Sequence, residues 1–276
     1  MHKYDPIGVC IYCGKDKGDA LTDEHIIPLG LAGEHILPCS SCKDCAKITG
    51  KFEGVILRTV LGDLRMRNKF PTRRPRERPK LRTINTAKGK KAIPTSEYPA
   101  PYIVYQFENA GILMGAPPGL VIPHKVPVII GDPTYDDFKQ KHTWDGVVSF
   151  RFQPDEFRRL LLKVGYGYAV AHLGYGSFRP LSVPYFMHAN TNLSYLVGQN
   201  TAKEPMDSNF LHKTRANVSM TRDGKWLVVA EIRLFAGADT PTYHAVVGDF
   251  DSPSQLHSVL ENLRHRGDME MTVWRT

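Results

Sequence analysis

Apolar residues between positions 44 and 61 recur at helical spacing and predict the first long helix of the chain. They occur close to one every 3.6 residues, at Ile48, Phe52, Val55, Ile56, Val60 and Leu61. Ahead of this helix, Leu21 to Pro28 is predicted to be a strand that ends at Pro28. Glu34 to Leu37 is predicted to return as a second strand, after a glycine-containing loop. The pattern therefore predicts a β-hairpin followed by a helix.

A second pattern begins at residue 101, where short β-prone runs alternate with turns. These runs read YIVYQF, GLVIP, VPVII and VVSFRF, and TYHAVVG lies near the end. Pro154, followed by two acids, predicts a helix start, and Asp223-Gly224 between two alternating runs predicts a hairpin. The helix has an apolar stripe made of Phe157, Leu160, Leu161, Val164, Tyr168 and Ala171. Residues 101–276 are therefore predicted to be an α+β domain with mostly antiparallel strands.

The segment between these two patterns is rich in proline and in positive charge. Its prolines predict extended or polyproline-like chain, so we divide the chain into units 1–65, 66–100 and 101–276. Residues 65–91 carry twelve Lys or Arg against one acid, Glu77, whereas the whole chain has a net charge of only +8. The basic excess is therefore local. It indicates either a contact surface for a polyanion or a solvated basic linker.

Cysteine usage and hydropathy limit the classes of protein that the chain can represent. No apolar run reaches the roughly 18 to 20 residues of a membrane helix, so no membrane partner is expected. The N-terminus has neither an apolar segment nor a cleavage site of the kind found in secretory signals. Four of the five cysteines occur in Cys-x-x-Cys pairs, which favours metal binding in a reducing compartment. We expect a cytoplasmic protein.

The two cysteine pairs have the spacing of a structural zinc site. Cys10, Cys13, Cys42 and Cys45 would each bind one corner of a tetrahedral Zn²⁺ and close the site, so that zinc stabilises the small hairpin–helix unit. The alternative is that these are reduced cysteines buried as small apolar side chains. Cys39 is predicted to be a free thiol in the core, and the alternative is that it replaces Cys42 as a zinc ligand.

Glu24 and His25 form the candidate chemical centre on the first predicted strand. A neutral imidazole can take a proton from water at neutral pH, and a neighbouring carboxylate can hold a divalent cation that neutralises a phosphate. Taken alone, the pair would more often be a hydrogen-bonded structural histidine beside a surface acid. Its position between the two cysteine pairs favours the functional interpretation.

Residues 1–65 resemble the HNH (ββα-metal) endonucleases, in the variant with zinc-binding Cys-x-x-Cys pairs around EHIIP and SCxxC. The motif matches Cys10, Cys13, Glu24, His25, Cys42 and Cys45. The resemblance implies that His25 is the general base and that Glu24 helps to bind Mg²⁺ or Mn²⁺. It also implies DNA as the substrate. The remainder resembles the C-terminal part of bacterial or phage proteins that carry this motif.

The sequence departs from the family at Ala46, where many members have an active-site Asn after the last Cys. Glu53, seven residues on, lies on roughly the same helix face as Ala46 and is the preferred second cation ligand, although an ordinary surface glutamate is equally consistent. Thr49 shares that face, and His35 is a weaker candidate.

The combined hypothesis is a metal-dependent DNA endonuclease with structural Zn²⁺ and a catalytic Mg²⁺ or Mn²⁺ held by Glu24 and Glu53. The residues predicted to contact the DNA backbone are Arg65, Arg67, Lys69, Arg73, Arg74, Arg76 and Arg78. The alternative is a zinc-stapled nucleic-acid-binding or adaptor protein that has lost cleavage, which Ala46 motivates. A protein partner or oligomer is not indicated by the sequence.

Overall fold

The computed structural model describes residues 1–16, 20–144, 146–147, 151–188, 191–200 and 202–266. Within these ranges, the strands are β1 (His2–Lys3), β2 (Leu21–His25), β3 (His35–Cys42), β4 (Leu81–Thr86), β5 (Gly89–Pro94), β6 (Tyr102–Val104), β7 (Val128–Ile130), β8 (Arg179–Pro180), β9 (Val197–Gln199), β10 (His212–Met220), β11 (Trp226–Leu234) and β12 (Tyr243–Asp249). The α-helices are α1 (Lys43–Val55), α2 (Gly62–Arg67), α3 (Tyr135–His142), α4 (Pro154–Leu173), α5 (Ser182–Met187) and α6 (Pro253–Arg266). A π-helical turn, Ile56–Val60, joins α1 to α2.

The N-terminal part consists of a hairpin and a helix, as predicted. β2 and β3 pair antiparallel, β1 adds to β3 in parallel, and α1 begins at Lys43 directly after β3. The pairing of β2 with β3 shifts register between Thr22 and Glu24, and Cys39 stands opposite this irregularity with φ +48°. Cys39 is exposed, so its predicted place in the core is wrong. The bulge turns it outward and lets its backbone N–H donate to Asp23 Oδ1 at 3.4 Å.

The C-terminal part is built on a five-stranded antiparallel sheet. Its order is β10-β11-β12-β8, and β9 pairs with another stretch of β12. The predicted hairpin is confirmed: Gly224, with φ +80°, lies in the turn between β10 and β11. Mixed helices and antiparallel strands make this an α+β structure. Of the short predicted runs, YIVYQF and VPVII contribute β6 and β7, GLVIP forms no strand, and residues 148–150 of VVSFRF lie outside the described residues.

Helix α4 is the element that connects the two parts. It begins at Pro154, as the sequence predicts, and contacts β10, β11 and β12 as well as α1 and α5. An added Cβ at Gly165 would stand 2.9 Å from the Ala230 side chain and 3.1 Å from that of Ala245, so glycine permits a close helix–sheet approach. Lys163 points about 200° around the helix from Gly165, toward the hairpin. One apolar cluster therefore extends from Cys10 through α4 to Val247.

The segment 66–100 is more ordered than its prolines predict. Part of the predicted extended chain forms two strands, β4 and β5, which pair as an antiparallel hairpin that the prolines did not predict. Its apolar side chains pack with helix α3 and its neighbours. This small cluster comprises Ile84, Ile93, Tyr98, Phe138 and Trp144. The apolar alternation of the hairpin is sparse because each strand buries a single isoleucine, Ile84 or Ile93, and most of the other positions are exposed, so the sequence pattern did not predict it. The proposed division into three units stays a prediction.

The helices in the described part of the chain include none that is long and apolar enough to cross a bilayer.

Candidate active site

Four cysteine sulfurs meet where the N-terminal turn touches the junction of β3 and α1. All four Sγ atoms, from Cys10, Cys13, Cys42 and Cys45, lie within 4.8 Å of one another, and only Cys13 is exposed. The turn closes through a 2.8 Å hydrogen bond from Gly14 N–H to Cys10 O, at φ +69° for Gly14. This turn brings Cys10 and Cys13 to the same cluster.

The thiols of this cluster differ in pKa: burial raises the pKa of Cys10 and of Cys45, whereas the pKa of Cys42 is lowered. Burial works to raise the pKa of the Cys42 thiol. Hydrogen bonds from the Cys45 backbone and from the neighbouring thiols outweigh burial and lower that pKa to about 7. A thiol that ionises near neutral pH is ready to act as a thiolate ligand. Four sulfurs with tetrahedral spacing suggest structural zinc, and they leave no open coordination position.

A second cluster lies at the end of β2, where Lys163 of α4 reaches two carboxylates. Its Nζ atom is 2.6 Å from Glu24 Oε1 and 2.9 Å from Glu53 Oε1. It also donates a hydrogen bond to Ile26 O at 3.1 Å and another to His25 O. Lys163 is 1% exposed and Glu24 7% exposed, whereas 18% of the Glu53 side chain is exposed, so this ion-pair triad is largely but not fully withdrawn from water.

The titration of the triad follows from burial and charge. Burial works to lower the pKa of Lys163, but the two carboxylates outweigh it and raise the pKa, so the ammonium stays charged. Burial raises the pKa of Glu53, and the charge of Glu24 adds to the increase, whereas Lys163 opposes it. Two acids share one buried cation, and the pKa of Glu53 is raised because burial and the charge of Glu24 disfavour its carboxylate form.

His25 lies at the end of β2 beside this triad and is half-buried. Its Nδ1 atom is buried and makes no hydrogen bond within the described residues. Burial lowers the pKa of His25, and the charges of Lys163 and Arg73 lower it further, against smaller opposing effects of Glu24 and Asp23. The imidazole is therefore neutral at pH 7, which is the form that can accept a proton.

Arg73 is the basic residue whose charge reaches this site from the surface. Its positive charge lowers the pKa of both His25 and Glu53. Arg73 is exposed. The site thus presents a neutral imidazole and an exposed guanidinium above a buried triad.

The seven basic residues predicted to contact a nucleic acid differ in what they do. Arg65 donates to Gly30 O at 2.6 Å and to Leu57 O at 2.7 Å. Arg67 binds Asp132, and Arg78 donates to the Phe70 carbonyl. These three guanidinium groups are used inside the fold. The remaining predicted residues are exposed: Lys69, Arg73, Arg74 and Arg76.

The other candidates for the missing family Asn have structural contacts of their own. Thr49 is buried and donates to Ala46 O at 3.3 Å. His35 Nδ1 is 2.9 Å from the hydroxyl of Tyr4, and the His35 ring packs edge-on against Tyr168. Of the predicted substitutes, Glu53 is the one that the structure brings into the triad with Glu24.

Sequence reasoning missed Lys163 and a basic face on α1. A lone lysine within the apolar run of α4, LLLKV, was the available signal for Lys163. The second signal was helical spacing: Lys43, Lys47 and Lys51 recur every four residues and are all exposed. Tyr12 was also missed. Burial raises its pKa well above 10, and the charges of Glu24 and Glu53 raise it further, so its buried hydroxyl lies near the triad.

Comparison with known families supports the resemblance that the motifs indicate. A family model described as HNH endonuclease matches residues 10–53. The match begins at the first cysteine of the cluster and ends at Glu53, so it contains every cysteine of that cluster and the Glu24–His25 pair. It covers less than half of the chain. No curated protein and no solved structure matches the chain. Residues 10–53 thus carry an HNH endonuclease segment, a class that acts on nucleic acids.

Proposed function

We propose that this protein is an endonuclease that hydrolyses DNA phosphodiester bonds, with His25 as the general base. The observation that carries the proposal is the neutral, half-buried His25 beside exposed Arg73, within a segment that matches the HNH endonucleases. We assign β2, β3 and α1 to the ββα-metal arrangement of that family. The cytoplasm, where thiols stay reduced, suits the four-cysteine site.

In the proposed reaction, His25 accepts a proton from a water molecule while the water oxygen bonds to phosphorus. The bond from phosphorus to the leaving oxygen then breaks, and that oxygen takes a proton from solvent. The pKa of His25 lies below 6.5, so the imidazole is in its basic form at neutral pH. Arg73 offers a charged donor to the phosphate oxygens near that ring.

Zinc has a structural task in this proposal. The Cys10 and Cys13 turn would be joined through the metal to Cys42, which caps α1, and to Cys45 in its first turn. Zinc would thereby fix α1 against the hairpin that carries His25.

A divalent cation at Glu24 and Glu53, which the resemblance implies, does not fit the side chains as they stand. The Lys163 ammonium lies between these carboxylates, 2.6 and 2.9 Å from one oxygen of each. We therefore assign no step of the reaction to a cation at this pair. Whether cleavage requires Mg²⁺ or Mn²⁺ is therefore tested in the assay.

DNA would approach along the exposed basic residues. Lys69, Arg73, Arg74 and Arg76 lie in the chain after α2, and the lysines of α1 add a second row. Contacts of this kind give affinity that falls with salt and no sequence preference.

The test is cleavage of supercoiled plasmid by zinc-loaded protein, with Mg²⁺, with Mn²⁺ and with a weak chelator that spares the zinc. We expect His25→Ala to slow cleavage by about 10²- to 10⁴-fold, the usual contribution of a general base. His257→Ala is the matched control, because His257 is exposed on α6 and its Nε2 atom lies 3.1 Å from Glu261 Oε1 on the same helix.

Equal cleavage by His25→Ala and the unsubstituted protein would overturn the assignment of His25. Salt-sensitive DNA binding without cutting under any of these ions would favour the alternative, a binding protein that has lost cleavage.

A further inference from the structure

We propose that Lys163 is the resident cation of the candidate active site: its ammonium fills the place between Glu24 and Glu53 and holds the strand end that carries His25. The occupancy of that place stands on geometry alone. The consequence for cleavage rests on the proposed function.

The surroundings of Lys163 Nζ resemble the oxygen shell of a hard metal ion. Carboxylate oxygens of Glu24 and Glu53 and the carbonyl oxygens of His25 and Ile26 surround it, at distances of 2.6, 2.9 and 3.1 Å for Glu24, Glu53 and Ile26. Carboxylates and carbonyls are the ligands that Mg²⁺ and Ca²⁺ prefer. These four oxygens outnumber the three N–H donors of an ammonium. The attraction between the oxygens and the positive charge therefore holds Lys163 in place as much as its hydrogen bonds do.

A divalent ion and this ammonium exclude each other. An ion bound by both carboxylates would stand within a few ångströms of Nζ, in a buried site where like charges repel strongly. Lys163 has no route out by a simple rotation, because its side chain is 1% exposed and α4 is packed on both sides. The ammonium is therefore a fixed part of the fold.

The same side chain positions the candidate base. β2 ends at His25, and the carbonyls of His25 and Ile26 accept hydrogen bonds from Lys163. On the other edge, the Ile26 N–H donates to His35 O at 3.0 Å. The strand end is thus held from β3 and from α4 together. Lys163 lies 137 residues beyond Ile26 in the chain, so residues 1–65 alone would lack this support.

The test measures Mn²⁺ binding to the zinc-loaded full chain by electron paramagnetic resonance, and it needs no cleavage. We expect the unsubstituted protein to have no Mn²⁺ site at Glu24 and Glu53, so Glu53→Gln should leave its Mn²⁺ binding unchanged. Lys163→Ala should open the cage and bind Mn²⁺ about tenfold or more tightly than the unsubstituted protein, because two carboxylates then lack a cation. The double variant Lys163→Ala, Glu53→Gln should lose that site. A merely structural lysine would not produce this signal.

Arg158→Met is the matched control. Arg158 is the other buried cation of α4, 4% exposed, and its guanidinium lies 4.3 Å from the centre of the Phe107 ring. This variant should be destabilised without gaining a Mn²⁺ site. Mn²⁺ binding to the unsubstituted protein that Glu53→Gln abolishes would overturn the proposal, and so would a folded Lys163→Ala that gains no site.

If Lys163→Ala does not fold, the comparison of unsubstituted protein with Glu53→Gln still decides whether a divalent ion uses the pair. Lys163→Arg keeps the positive charge and serves as a second variant for the comparison. It should also bind no Mn²⁺. Failure of the plasmid assay would bear on the proposed function and would leave these binding results unchanged.

Discussion

Two clusters of metal-type ligands lie in the same hairpin–helix unit, and they are neutralised in different ways. The four sulfurs of the cysteine cluster lie within 4.8 Å of one another, an arrangement in which an ion from outside the chain would balance the charge of the thiolates. The acidic cluster of Glu24 and Glu53 contains the ammonium of Lys163. Donor atoms alone therefore do not identify a metal site. Whether such donor atoms bind a metal ion depends on whether the fold places a cationic side chain among them.

The difference follows from the neighbours of each cluster. The cysteines lie at the surface end of the unit, where Cys13 is exposed and an ion can enter. The acids face α4, which is buried between the unit and the five-stranded sheet. A cation buried at such a position must belong to a side chain of the protein and become buried as the chain folds.

Removal of zinc should have the largest effect. A strong chelator, or Cys45→Ser, should abolish protection of the amides around the cysteine cluster, because structural zinc contributes on the order of 10 kcal/mol to small units. Strands β11 and β12 should keep their protection, since they pack on α4. Hydrogen exchange measured by mass spectrometry resolves the two regions. If the protection of the Cys42 amide from exchange were unchanged after chelation, the cysteine cluster would not depend on an ion from outside the chain. The contrast between the two clusters would then be lost.

Lys163→Met should be next in size. It leaves two buried carboxylates without a cation, which typically destabilises by about 3–5 kcal/mol. Lys213→Met is the control, because the Lys213–Asp207 pair at 3.1 Å is exposed and worth at most about 1 kcal/mol. Urea unfolding of both variants gives the comparison. Equal losses would show that burial adds nothing to the ion pair.

The pH dependence of cleavage should reflect the pKa of His25. Burial and the charges of Lys163 and Arg73 lower that pKa below 6.5. The imidazole must be neutral to act, so kcat/KM should rise with pH, and the midpoint of that rise should lie below pH 6.5. An acid limb centred above pH 6.5 would contradict either the assignment of His25 or the influence of these charges.

Substitution of exposed arginines should have the smallest effect. Arg73→Gln should weaken DNA binding by about 1 kcal/mol and reduce the salt slope by about one unit, uniformly across sequences. Arg78→Gln, whose guanidinium binds the Phe70 carbonyl, should lower stability and leave the salt slope unchanged. Fluorescence anisotropy at several salt concentrations separates the two. Identical slopes would show that both arginines contact DNA or that neither does.

Local features were predictable because their cause lies within a few residues. Pro154 starts α4 through its fixed φ, Gly224 forms the β10–β11 turn, and the paired cysteines converge as their spacing implied. Cys39 was misplaced because a register shift between strands reversed its direction. The basic hairpin β4–β5 was missed because the prolines outweighed its sparse apolar pattern.

The sequence by itself determined that residues 10–53 form a cysteine-rich hairpin and helix with Glu24 and His25 on the first strand. It also determined that a helix begins at Pro154 and buries Phe157, Leu160, Leu161 and Val164. Only the tertiary structure decided which charge stands beside those acids. Periodicity and turn chemistry act between neighbours in the chain, whereas the partner of a buried carboxylate is set by which distant helix face packs against it. Lys163 satisfies Glu24 and Glu53 because α4 fills the space between the hairpin and the sheet.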